Sequence, residues 1–170
     1  MKKVNYTTYE RLLKHFLALV KEEYRDGIIS VVLYGSVARG DAESTSDLDL
    51  ILVIEDPPSL YEKSTQRFIL KVEDSLKSSE EFRNLVKRGL YPELKPIILS
   101  RSEANMNRYI YLDMIEDANI LFDKNNFFKE RLEILKRRLK ELGSKKVELE
   151  GGGWYWILKP DLKFGEVFEL

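Results

Sequence analysis

Apolar residues near the start of the chain recur at helical spacing: Tyr9, Leu12, Leu13, Phe16, Leu17, Val20 and Tyr24. That stripe predicts an amphipathic helix from about Thr8 to Tyr24, stopped by Asp26-Gly27. The period then changes. Ile28 to Tyr34 is a short, nearly continuous apolar run rich in β-branched residues, which marks a buried strand. A loop from Gly35 to Ser46 leads to a second strand, Asp47 to Ile54, broken by Asp56-Pro57-Pro58-Ser59. Helical spacing returns from Leu60 to about Arg88, with Ser78-Ser79 as a point of division and Gly89 as a stop. Leu94 to Leu99 reads as a third strand, and Pro96 inside it predicts an edge position or an irregular start. Ser100 and Glu103 have capping-box spacing for a helix from about Arg101 to Ile115. Asn119 to Phe122 is a short fourth strand ended by Asp123. A helix from Asn125 to Leu142 follows, with Phe128, Leu132, Leu135, Leu139 and Leu142 on one face and Gly143 at its end. After Gly151-Gly152-Gly153, the run Trp154 to Leu158 reads as a strand or a docked segment, because its aromatic rings are costly to leave in water. The alternation of elements predicts an α/β or α+β fold with helices on at least one face of a sheet.

A length of 170 residues fits one domain and is too short for two full ones. The absence of cysteine excludes disulfide scaffolds, cysteine nucleophiles, thiolate zinc sites and iron–sulfur clusters. The single histidine, His15, excludes a multi-histidine metal site. It falls off the apolar stripe, near Arg11 and Glu22, and reads as a solvated surface residue. Charged residues make up 34% of the chain, yet 28 bases and 29 acids nearly cancel, so no global basic field points to nucleic acid. High charge with one glutamine and no cysteine is the composition of a thermophile's protein. No apolar run is long enough to span a membrane, and the N-terminus lacks the apolar stretch of a signal peptide. A soluble cytoplasmic protein is therefore expected.

The chemistry concentrates in residues 33–50, where three features coincide. Gly35-Ser36 follows a buried strand directly. The glycine permits a tight turn and close approach, the serine hydroxyl suits a phosphate, and a short helix opening at Val37 to Arg39 would aim free N–H groups at the same anion. Asp47 and Asp49 stand two apart at the start of a strand, so their carboxylates share a face about 6–7 Å apart. Two such acids raise each other's pKa unless a cation neutralises them, and hard oxygens suit Mg²⁺ or Mn²⁺. Ten residues, 37–46, separate the two features, which lets adjacent strands bring a phosphate cradle beside metal carboxylates. That geometry serves nucleotidyl transfer.

Gly35-Ser36-Val37-Ala38-Arg39-Gly40 followed by Ser46-Asp47-Leu48-Asp49-Leu50 resembles the signature of the DNA polymerase β-like nucleotidyltransferase superfamily, and most of all its minimal archaeal and bacterial members. The strict motif covers residues 35–49; the later helices and the Trp-rich tail also resemble archaeal members. The resemblance implies a small mixed sheet with flanking helices and a single domain over residues 1–170. Its catalytic core would span about 8–123, with a helical and Trp-rich extension over about 124–170. It implies that Gly35 and Ser36 contact the phosphates of a nucleoside triphosphate, ATP by expectation, and that Asp47 and Asp49 hold Mg²⁺. A hydroxyl acceptor would take AMP and pyrophosphate would leave. Such proteins often resemble the antitoxin half of a toxin–antitoxin pair, with a tyrosine of a HEPN-type ribonuclease as acceptor.

One departure matters. The superfamily commonly adds a third carboxylate from a later strand, whereas Tyr91 to Ser100 has no acid in its core, only Glu93 at the entrance. Either Glu93 serves or the site has two carboxylates, and the loss of a third weakens catalysis more than nucleotide binding. A catalytically weak nucleotide-binding or partner-binding module is the rival reading. Arg39 either steers phosphate or pairs with Asp41 or Glu43; those two acids read as solvated loop charges. Residues 129–146 carry eight bases and three acids, a basic amphipathic helix that is either a solvated face or a docking surface for an acidic partner, RNA or the triphosphate. RNA binding or modification is thus a third reading. Trp154, Tyr155 and Trp156 read as core or interface anchors, which leaves a homodimer open.

Overall fold

The computed structural model describes residues 3–57 and 63–170. The first helix, α1 (Tyr6–Tyr24), is capped by Asn5 and buries Tyr9, Leu12, Leu13, Phe16 and Val20, the expected stripe. β1 (Ile28–Tyr34) matches the apolar run residue for residue and is buried along nearly its whole length. The stretch expected as loop contains a short helix, α2 (Gly35–Arg39), and β2 (Leu48–Ile54) follows. The expected helix start at Leu60 lies outside the described residues. α3 (Lys63–Lys77) and α4 (Glu80–Lys87) are divided at Ser78-Ser79, where the Ser79 hydroxyl accepts from Phe82 N–H and caps α4.

β3 (Leu94–Ser100) occupies an edge of the four-stranded sheet, whose order is β3-β2-β1 and then β4 (Asn119–Asp123). The edge position tolerates Pro96, which lacks an N–H to donate. β1 pairs antiparallel with β2 and with β4, and β2 pairs parallel with β3 through the α3–α4 crossover. Alternation along the central strands sends Leu48, Leu50, Leu52 and Ile54 into one core with α1, α3 and α4. Ile29, Val32, Ile51 and Val53 enter a second core on the opposite face. Helices therefore cover both faces.

Three expectations need correction. The capping box at Ser100 and Glu103 is present, but it opens a helix of only five residues, α5 (Arg101–Asn105). Met106 and Arg108 turn extended, a 3₁₀ turn runs over Tyr109–Asp113, and α6 (Met114–Asp117) is a single turn. The break lets fully buried Tyr111 enter the second core and donate its hydroxyl to Ala104 O at 3.1 Å. The last long helix, α7 (Phe127–Glu141), starts two residues late, because Asn125 and Asn126 both take left-handed conformations. The tail strand β6 (Trp154–Ile157) has an unforeseen partner, β5 (Lys145–Glu148), and the two form an antiparallel hairpin.

Asp123 joins the last strand to α7. Its carboxylate accepts from the buried Ser30 hydroxyl at 2.6 Å and from Phe128 N–H and Lys129 N–H at 3.0 Å each. It thus satisfies the start of α7 and ties it to β1. Removing it strands a buried hydroxyl and two helix donors. Asp123→Ala is expected to lower unfolding free energy by about 2–3 kcal/mol in urea titrations, and Asp123→Asn by less.

Candidate functional site

The site forms where β1 ends beside the start of β2. Tyr34 pairs in register with Asp49, so the first residue beyond β1 falls against that carboxylate. Gly35 has φ +75°, which L side chains rarely adopt, and a Cβ there would lie 2.3 Å from Asp49 Oδ2. Both facts demand glycine. α2 begins at Gly35 and closes at Gly40, which is left-handed at φ +85° while Gly40 N–H and Asp41 N–H both donate to Ser36 O. Glycines thus open and close this five-residue helix. Among the described residues the half-buried Ser36 hydroxyl has no hydrogen-bond partner.

The returning loop is held at two points. Val4 N–H donates to Ala42 O at 2.9 Å, with both side chains buried, so the N-terminal segment straps the loop down. A turn from Glu43 to Ser46, closed through the Ser46 hydroxyl, then leads into Asp47 and β2. Leu48 N–H donates to Glu93 O at 2.8 Å and starts the parallel pairing. Asp47 and Asp49 are half-buried, and among the described residues neither carboxylate has an ion pair or hydrogen bond.

Burial, then the Asp47 carboxylate, raise the Asp49 pKa above its usual value; Arg39 and Lys95 pull it partly back. Burial and the Asp49 charge push Tyr34 up to about 12, so its phenol stays protonated at neutral pH. Two unpaired carboxylates, one of them held in an environment that disfavours its own charge, fit a hard divalent cation. Mg²⁺ in particular is commonly bound by one or two carboxylates, with water and substrate phosphate completing its shell.

The remaining candidates are placed differently. Arg39 meets Asp41 at 3.3 Å and also lies with its guanidinium carbon 4.6 Å from the ring centroid of Trp154. Glu93 is exposed and its carboxylate is engaged by Lys95 at 2.8 Å, which holds its pKa below the usual range. Lys95, not Glu93, is the register partner of Asp49. Among the described residues no group of three acidic or histidine side chains gathers to hold a metal, so Glu93 is not brought to the carboxylate pair. His15 sits apart on α1, with Nδ1 3.6 Å from Glu81. Sequence reasoning missed both Lys95 and the role of Trp154. Lys95 was legible only through the strand register, and the contact of residue 39 with residue 154 left no local signal.

A glycine turn against paired carboxylates, on a mixed sheet covered by helices, is the arrangement expected of a nucleotidyltransferase. The signature of the nucleotidyltransferase domain family matches residues 13–112, more than half the chain, and the protein belongs to that family. It is 24% identical over 136 residues to a Methanocaldococcus jannaschii protein provisionally named a protein adenylyltransferase, covering 77% of this chain and 83% of the relative. A second protein of that organism with the same provisional name is 29% identical over 89 residues, 49% of this chain and 89% of its own. In fold, the chain is similar to the spectinomycin adenyltransferase of Enterococcus faecialis solved with ATP and spectinomycin. That match has a TM-score of 0.53 and 8% identity over 78% of this chain and 66% of the other. Among the described residues no helix is long and apolar enough to cross a membrane.

The electrostatics give a test with a definite sign. A carboxyl whose folded pKa is raised stabilises the fold when protonated. That contribution is complete below the unfolded-chain value, about 3.9, and is lost as pH rises through the folded value. Asp49→Asn is therefore expected to melt above wild type at pH 7 in the absence of divalent cations, with the gap closing as pH falls toward about 4. Gly35→Ala is expected to cost about 1–3 kcal/mol in chemical denaturation, because it forces strained backbone and displaces Asp49.

Proposed function

We propose that the protein transfers AMP from ATP to a hydroxyl of a protein acceptor, with Asp47 and Asp49 as the residues that hold Mg²⁺ or Mn²⁺. The observation that carries this reading is the close approach of Gly35 to Asp49, which supports a glycine turn and a carboxylate pair working together. Gly35 gives the phosphates access to backbone, and the free Ser36 hydroxyl binds a phosphate oxygen. Asp47 and Asp49 would hold the cation, which when bound would supply charge neutralisation on the transferring phosphoryl group. The acceptor oxygen bonds to the α-phosphorus, the bond to the bridging oxygen breaks, pyrophosphate leaves, and the hydroxyl proton passes to solvent. The names of the archaeal relatives favour a protein acceptor, and a tyrosine of a HEPN-type partner is its more specific form.

A second reading rests on the two-carboxylate site. With Glu93 held by Lys95, the chain binds Mg-ATP but turns it over weakly, as a partner-binding module. One experiment separates the two. Calorimetry with Mg-ATP is expected to show metal-dependent binding that Asp47→Asn/Asp49→Asn weakens at least about 100-fold, given the charge-assisted contacts removed. Release of pyrophosphate in the presence of acceptor protein supports transfer, and binding without release supports the module. No binding of any nucleoside triphosphate by wild type contradicts both.

A further inference from the structure

The C-terminal hairpin lies beyond the residues matched to the family, yet it reaches the phosphate turn. Trp154, on β6, is the point of contact. Its indole lies 4.6 Å from the Arg39 guanidinium carbon and 4.7 Å from Lys146 Nζ, and its Nε1 donates to Asp113 at 2.7 Å. Lys146, on β5, donates in turn to Glu116 at 3.0 Å. The hairpin is thus fastened through both strands to the segment 113–117, and through one aromatic ring to the last residue of α2.

Two cations on one indole repel each other unless anions surround them, and Asp41, Asp113 and Glu116 supply that balance. The arrangement restrains Arg39. Without the ring, a long side chain at the end of a five-residue helix would be tethered only by a 3.3 Å contact to half-exposed Asp41. It would regain rotamer freedom. With the ring, the guanidinium is held at the end of α2, the helix that begins at Gly35 against Asp49.

We infer that Trp154 is a positioning residue of the nucleotide site: its ring holds the Arg39 guanidinium at the end of the turn that packs against Asp49, where it binds the triphosphate. This rests on the nucleotide-binding reading above. It makes the C-terminal hairpin part of the site, so residues 13–112 alone form an incomplete one. Arg39 binds phosphate better when prepositioned, because ordering it no longer opposes binding.

The full-length protein tests this with Trp154→Leu, which keeps apolar bulk and loses the π face, and Trp154→Phe, which keeps a π face and loses the bond to Asp113. Calorimetry with Mg-ATP is expected to show about tenfold weaker binding for Trp154→Leu and near wild-type binding for Trp154→Phe, within what a cation–π contact supplies. Arg39→Met is expected to weaken binding comparably, and Trp154→Leu added to it to do nothing more. The Arg39 Nε–Hε NMR signal, shifted by the indole ring current, should move to the position of a free arginine in Trp154→Leu. Melting curves separate a fold defect from a positioning one. A loss of affinity that persists in full in the Arg39→Met background overturns the inference, as does wild-type affinity in Trp154→Leu. Wild type binding no Mg-ATP overturns the function proposal and this inference with it; wild-type binding with additive variants overturns this inference alone.

Discussion

The contact between Gly35 and the Asp49 carboxylate sets the terms for everything around it. It forms because β1 and β2 pair antiparallel with Tyr34 opposite Asp49, so the chain leaving β1 turns directly against the carboxylate entering β2. No side chain fits between them, and no residue but glycine takes the backbone angle comfortably. The loop that joins the strands is long enough to contain a helix and a strapped turn, and both hold this approach. Gly40 closes the helix, and Val4 pins Ala42. The two cores on either side of the sheet then keep β1 and β2 in register. A one-residue slip would move every buried side chain to the wrong face.

The same contact is costly in isolation. Asp49 is half-buried beside another acid, and its neighbours only partly offset this: Arg39 and Lys95 act at a distance, while Lys95 spends its direct contact on Glu93. A site that disfavours its own charge in the free protein fits the proposal that a cation completes it. On the proposed reading, stability and function oppose each other at this position, as they commonly do where a protein keeps unpaired charge for a ligand.

Much of this was legible along the chain. The bounds of β1 were readable because a doubly buried strand is apolar and β-branched along nearly its whole run, Ser30 alone excepted, and Pro96 announced the edge strand because its missing N–H excludes a central place. The motif from Gly35 to Asp49 was legible because its chemistry is local in sequence. The helix from Arg101 was legible at its start and not at its end. A capping box is a local signal, whereas the break after Asn105 follows from tertiary burial of Tyr111. β5 was invisible because Lys145-Lys146-Val147-Glu148 has no apolar alternation and exists by pairing with β6. The contact of Trp154 with Arg39 spans 115 positions and leaves no periodic trace. Glu93 was chosen for its charge and its place in the chain, but strand register puts Lys95 opposite Asp49 instead.

The central claim is that phosphate turn and carboxylate pair form one nucleotide site. The most direct measurement is a crystal structure of the protein with Mg²⁺ and a non-hydrolysable ATP analogue. The account predicts a cation about 2.0–2.1 Å from oxygens of Asp47 and Asp49, sharing a phosphate oxygen with a triphosphate that touches Ser36. A nucleotide bound elsewhere on the protein, or a triphosphate on the turn with no metal at the carboxylates, would contradict it.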